Sequence, residues 1–226
     1  MKPRCNLLVL CTIFAVSVLA SDGVAQQSEG AAQQLRPAPD TPRVVLYEED
    51  PDDRYGKRYI GSATWRIETV TPRAGAATDL AVRADVEVPE RRITMTFLLR
   101  RNTDRALPAS HTIYLTFHLP TDFPFGGIQN VPGILTKTAE DRRGAPLAGI
   151  AVKPMPDAFL VGLSGVEADM QRNLQHLKER TWFDIPIVYA NGRRAILALE
   201  KRRARRKGLR GGVQSLGAVS GLSLPP

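Results

Sequence analysis

From residue 44 onward the apolar residues of this chain recur at every second position, and that spacing limits what it can fold into. Leu80, Val82, Ala84, Val86 and Val88 alternate with Ala81, Arg83, Asp85 and Glu87, and Ile93, Met95, Phe97 and Leu99 alternate with Thr94 and Thr96. A strand turns successive side chains to opposite faces, so this spacing predicts half-buried antiparallel strands. Pro89 and Glu90 then mark a hairpin between the two segments. Residues 59–70 repeat the pattern with Trp65 and Ile67 inward, and residues 111–119 repeat it with Ile113, Leu115 and Phe117. Further strands are expected at residues 44–47, 133–138, 147–153 and 158–164.

One helix interrupts the strands. Ser164 and Glu167 have the spacing of a capping box, and Met170, Leu174, Leu177 and Thr181 follow at helical intervals. The helix should end near Arg180. Two apolar runs, 184–190 and 193–200, flank Asn191-Gly192, which predicts a hairpin closed by a type I′ turn. Nine or ten short strands with one late helix predict a mainly β fold. The expected architecture is an antiparallel β-sandwich, or a partly open barrel, with one late α-helix followed by a β-hairpin.

The amino terminus reads as an export signal. Lys2 and Arg4 precede an apolar run over residues 7–20, and small residues follow. Cleavage fits after Ala20 or Ala25, which makes residues 1–25 a signal peptide. The alternative is an inner-membrane anchor over residues 7–20, although crossing a bilayer takes about 20 apolar residues. Both cysteines, Cys5 and Cys11, lie in this leader. A chain that loses it has no disulfide, thiolate metal site or cysteine nucleophile. Residues 26–43, rich in Gln, Ala and Pro, read as a flexible linker.

The net charge of +8 is unevenly spread. Residues 21–192 carry 20 basic and 22 acidic side chains, whereas residues 193–226 carry 9 basic and one acidic. The basic character belongs to the end of the chain. That tail holds no aromatic residue to stack on bases, so nucleic acid is not an expected partner.

Seven stretches carry a resemblance: VVLYEEDPDDRYGKRYIGSATWR, VRADVEVPERR, RRNTDRALPASHT, NVPGILTK, PLAGIAVK, FLVGLS and ERTWFDIPIVYANGRRAILALEK. Together, over about residues 44–201, they resemble a recurrent family of uncharacterised alphaproteobacterial exported or membrane-tethered proteins of unknown function. The resemblance implies a domain held behind an N-terminal hydrophobic or low-complexity segment, and it implies no catalytic residue. Members of that family finish with a Gly-Pro step and a short amphipathic helix. Here the chain runs instead into a basic stretch, 202–226, expected to be disordered. A back-translation of RRARRKGLRGGVQSLGAVS exists whose shifted frame reads GAPGEKAFEEAFSRWGL and then a stop. The tail therefore reads as a frameshifted end, which the codons of the gene would decide.

Candidate chemistry is sparse. His111 and His118 are seven apart on one expected strand and so face opposite ways, and His176 falls on the solvent side of the helix. No metal site or cofactor is expected. Ser164, His111 and Asp104 could be drawn as a triad, but Ser164 lacks the Gly-x-Ser-x-Gly elbow, so no catalytic residue is assigned. Glu48, Glu49, Asp50, Asp52 and Asp53 form an acidic run, with Arg54, Lys57 and Arg58 just beyond it. The run lacks a calcium loop's closing ligand and reads as a self-neutralising loop.

The segment PTDFPFGGIQNVPG, residues 120–133, is the one candidate binding rim. Phe123, Phe125, Gly126, Gly127 and Asn130 combine aromatic surface with exposed backbone, which suits a ligand or partner site. The competing role for the two rings is to cap the open end of the fold. The chain is accordingly expected to be a periplasmic or secreted, non-enzymatic β-sandwich module that binds a protein or another envelope component. Membrane contact is expected only if the leader is retained. The alternatives are a periplasmic hydrolase using polar residues on strand-end loops and a membrane-tethered accessory domain.

Overall fold

The computed structural model describes residues 41–71 and 77–201. The expected leader, most of the linker and the basic tail lie outside the described residues. Twelve strands occur in the order β1 (Arg43–Asp50), β2 (Asp53–Val70), β3 (Asp79–Val88), β4 (Ile93–Arg101), β5 (Ala109–His118), β6 (Ile128–Asn130), β7 (Leu135–Lys137), β8 (Ala145–Pro146), β9 (Gly149–Met155), β10 (Ala158–Ser164), β11 (Trp182–Tyr189) and β12 (Arg194–Glu200). One helix, α1 (Glu167–Glu179), stands between β10 and β11, so the late helix and the hairpin after it are where the sequence places them.

All the strands belong to one antiparallel sheet of order β8-β7-β11-β12-β1-β2-β3-β4-β5-β10-β9, with β6 alongside β11. β1 to β5 follow the chain as a meander, except that β1 also receives β12 on its other side. The sheet curls strongly. Phe97 on β4 and Phe183 on β11 are five places apart in the sheet order, yet their ring centroids lie 5.1 Å apart. Trp65 on β2 touches both rings, at 5.7 and 6.2 Å. One continuous core fills the concave side. The fold is thus the mainly antiparallel β class expected, in the form of a partly open barrel.

The period-two reading holds where strands cross this core and fails beyond it. Trp65, Val86, Met95, Phe97, Ile113 and Leu115 are buried as expected. Ile67 and Leu80, at the far end of the β2–β3 hairpin, are 36% and 50% exposed, because the hairpin extends past the opposing strands. β2 is also longer than expected. It starts at Asp53, so the acidic run forms the tip of the β1–β2 hairpin.

Side chains complete the seam between the ends of the sheet. β8 and β9 are separated by Leu147 and Ala148 alone, so the chain steps directly from one end of the sheet order to the other. Leu147 N–H donates to Ile134 O and Ser164 N–H donates to Ala148 O, both at 2.9 Å. Asn173, buried on α1, accepts from Ala148 N–H at 2.9 Å and donates to Ala148 O at 2.8 Å. Further along, Ile128 N–H donates to Asp157 Oδ1 at 2.7 Å, and Lys153 Nζ donates to Ile128 O at 2.6 Å. Each clasp satisfies both polar groups of one backbone unit, as a neighbouring strand would.

Two local expectations are corrected. Ser164 does not form a capping box: its hydroxyl accepts from Val166 N–H at 3.2 Å, and Val166, without a side-chain bond, is the N-cap. The β11–β12 turn is not type I′, because only Gly192 has a positive φ, +85°. Gly192 N–H donates to Tyr189 O and Tyr189 N–H to Arg193 O, both at 2.9 Å, giving a three-residue loop with glycine in the left-handed position. Asn191 Oδ1 accepts from Arg193 N–H at 3.1 Å, which fixes that loop by the side chain rather than by a positive φ at Asn191.

Candidate functional site

The loop of residues 120–133 folds back on itself through two turns. Phe123 N–H donates to Pro120 O at 3.0 Å and Gly126 N–H donates to Phe123 O at 3.2 Å. Gly126 and Gly127 then take φ of +74° and +108°, which lets Gly127 O accept from Ala190 N–H at 2.9 Å. The outcome is that the rings turn inward. Phe123 is 8% exposed and belongs to the core, and Phe125 is half-buried against it. Asn130 is exposed on β6, opposite Val188. Phe123 and Phe125 meet edge-to-face at 5.4 Å, and both contact the ring of Tyr189, at 5.4 and 5.0 Å. The rings therefore cap this end of the barrel.

What they cap is a buried ion pair. Glu48, from the acidic run, has a side chain only 3% exposed. Its Oε1 accepts from the Tyr189 hydroxyl at 2.6 Å, and its Oε2 lies 3.1 Å from Arg91 Nε. Arg91 projects from a 3-10 turn, Pro89–Arg91, made possible by the left-handed φ of +51° at Arg92. Its guanidinium carbon lies 5.0 to 5.3 Å from the rings of Phe125, Phe123 and Tyr59. Arg193 approaches Phe125 at 5.0 Å. Burial, and then the neighbouring carboxylate, push the Tyr189 phenol far above its ordinary range, so it serves as a permanent donor. Both Glu48 oxygens are engaged, so the group is a fixed clamp that joins β1, β11 and the β3–β4 turn.

Sequence reasoning placed Glu48 in a solvated loop. The signal that finds it is parity, since Glu48 shares the inward register of Val44 and Leu46. Three of the other four carboxylates of the run, all but Asp52, are neutralised or engaged in place. Asp50 pairs with Lys57 at 2.7 Å, Asp53 Oδ1 accepts from Tyr55 N–H at 2.9 Å, and Glu49 Oε2 accepts from Arg194 N–H at 3.1 Å.

The remaining candidates are not brought together. His111 is 6% exposed, with Nε2 unpartnered, on the inner face near the Arg101–Asp79 pair. Burial chiefly, and the Arg101 charge, lower its imidazole below the ordinary range, with Asp79 opposing. Asp104 caps Ala106 N–H at 2.9 Å and Ser164 receives Val166 N–H. Among the described residues no hydrogen bond joins any two of Ser164, His111 and Asp104. His118 is exposed, and Asp122 takes both contacts of Arg92, at 2.7 and 2.8 Å. His176 is half-buried rather than free on the solvent side, with Nδ1 unpartnered. Among the described residues no group of three or more His, Cys, Asp or Glu side chains is placed to hold a metal ion.

A concavity does exist on the convex face of β11, β12 and β1. The register sets Pro186, Ile196 and Tyr47 in one outward row across these strands. The next row toward Arg43 holds Val45 and Ala198, buried with Trp182. There the β7–β8 connection is tethered onto the sheet by Glu140, which accepts from Tyr47 Oη at 2.5 Å, from Arg58 at 3.0 Å and from Arg43. Away from that tether the apolar row stays open. A groove of about 570 Å³ runs over it, lined by Tyr47, Ile196, Pro186 and Val188 and walled by Tyr55 and Pro132. Ile196 is 42% exposed and Tyr55 is 82% exposed. Sequence reasoning missed this site, because Ile196 and Pro186 read as ordinary hairpin residues until the register places Tyr47 beside them.

Comparison with family models, with curated proteins and with solved structures returned no match.

Proposed function

We propose that this chain is an exported, non-enzymatic interaction module of the cell envelope, periplasmic or secreted, which holds a protein partner in the groove over Tyr47, Pro186 and Ile196. The observation that carries this reading is the half-covered apolar outer face of β1, β12 and β11. The chain's own loop is tied down over one part of it through Glu140, and the continuation is left open with about 570 Å³ of space. A cleft with apolar lining and a few polar groups at its margin is the usual form of a binding site. Here the margin is supplied by Glu49, Asp53, Arg54 and Arg194. The floor is a sheet face and the groove runs along it, which suits a side-chain-bearing segment of a protein. The signal-peptide pattern of residues 1–25 and the resemblance to a tethered alphaproteobacterial family support an envelope partner.

The test compares the full chain with its Ile196→Arg and Tyr55→Ser double variant in capture from envelope extract. A partner retained by the parent and lost by the variant, at equal thermal stability, supports the groove. Equal capture by both would overturn it.

A further inference from the structure

β9 differs from every other long strand in the sheet. The sheet order ends on β8 and β9, and β8 is only two residues long. β9 runs for seven residues and, among the described residues, pairs with β10 alone, so the backbone groups along its other side have no strand partner there. Ile150 is 75% exposed, Val152 50% and Met155 63%, which makes three of the eight large exposed apolar side chains among the described residues. On the outer face the register aligns Leu98, Tyr114, Leu160 and Val152 across β4, β5, β10 and β9. An apolar row therefore runs out to an unpaired edge. A second groove, of about 360 Å³, opens there between Leu107, Pro108, Ile150, Val152 and Leu160, with Asp169 at one end.

Sheet edges are normally guarded by charge, commonly a lysine, or by proline. The one charged residue of β9, Lys153, is turned away: Nζ donates to Ile128 O at 2.6 Å and lies 5.6 Å from the ring of Phe159. Pro154 limits pairing at the Met155 end, which leaves residues 149–153 unguarded.

We propose that β9 accepts an extended segment of another protein as an added antiparallel strand, apolar at alternate positions and basic toward its C-terminal end. Each clause has its own physical reason. Only an extended backbone offers donors and acceptors at the spacing of a strand edge. Every second side chain of such a segment would lie beside Ile150 and Val152, on the outer face. The sheet pairs antiparallel throughout, so the added strand would end against Gly149. The charge at that end is net negative: Asp169 lines the groove, Arg172 pairs with it, and exposed Glu167 lies two residues before it on α1. Asp169 Oδ1 accepts from Arg172 at 2.6 Å, and its Oδ2 takes no hydrogen bond among the described residues. This edge is separate from the groove over Tyr47 and Ile196, and neither proposal depends on the other.

The test uses the full chain and a labelled peptide, acetyl-Thr-Val-Thr-Val-Thr-Arg-amide, read by fluorescence anisotropy at low salt. Two companion peptides end in Glu or carry N-methyl groups on alternate amides. The Arg peptide should bind about fivefold more tightly than the Glu peptide. N-methylation should abolish binding, and β9 amides should gain exchange protection in the complex. Ile150→Lys with Val152→Lys should weaken binding at least about tenfold. If that variant fails to fold, the N-methylated peptide carries the test alone. Absence of binding, equal binding of the N-methylated peptide, or protection confined to other strands would overturn the proposal. Self-association of the parent chain relieved by the lysine variant would also overturn it, by assigning the edge to a second copy.

Discussion

The substitution Asn173→Ala tests whether side chains close the barrel. Asn173 is 1% exposed, and its amide engages both backbone groups of Ala148. The two lost bonds are not equivalent. Ala148 O keeps a second donor, Ser164 N–H at 2.9 Å, whereas Ala148 N–H has no replacement. An orphaned donor of this kind costs about 1–3 kcal/mol. Alanine is the better helix former on α1 and returns about 0.5 kcal/mol. The net expectation is a loss of about 1–2 kcal/mol, or about 2–4 °C of melting temperature per kcal/mol for a domain of this size. Urea unfolding followed by circular dichroism gives the free energy, and hydrogen exchange at Ala148 gives the local effect. Gln175→Ala, on the exposed side of α1, should stay within about 0.5 kcal/mol of the parent. If Asn173→Ala matched that control, with Ala148 still protected, the seam would be held by packing alone.

Two further outcomes follow from buried groups. His111 titrates below its ordinary value in the folded chain, chiefly through burial, so on acidification the unfolded state takes the proton first. Stability should fall as pH drops below about 6.5, and His111→Leu should flatten that slope in pH-dependent melting while leaving the carboxylate-driven loss at lower pH intact. Phe123→Ala should cost about 3–5 kcal/mol in denaturant unfolding, the range for a buried ring. Phe125→Ala should cost distinctly less, and equal effects of the two would contradict the different burial of the rings.

The strands were legible because burial imposes a period of two wherever both neighbours press on a face. Residues 93–99 and 111–117 show this plainly, and the late helix and its hairpin were legible for similar local reasons. Pairing across the chain leaves no such mark. Nothing in the spacing of β1 announces that β12 lies beside it, and so the row of Tyr47, Ile196 and Pro186 could not be assembled from the sequence. The clasps were hidden for a different reason. Asn173 sits at helical spacing from Met170 and Leu177, a position that only a partnered polar side chain can occupy in a buried face. Its partner, Ala148, carries no side-chain signal at all. Phe123 was ambiguous because a loop aromatic can face either way, and the turns that decide it depend on contacts with β11.

The placement of β1 has a consequence for presentation. β1 enters the sheet at Arg43 and β12 leaves it at Glu200, and these strands pair antiparallel, with Val44 opposite Leu199. Entry and exit therefore share one pole of the domain. The β1–β2 tip lies at the other, about 25 Å away along an eight-residue strand, and the groove and the aromatic clamp begin about halfway toward it, at Tyr47 and Glu48. A partner seated in the groove would therefore reach the domain from the end of the strands opposite Arg43 and Glu200, leaving the pole where the chain enters and leaves uncovered.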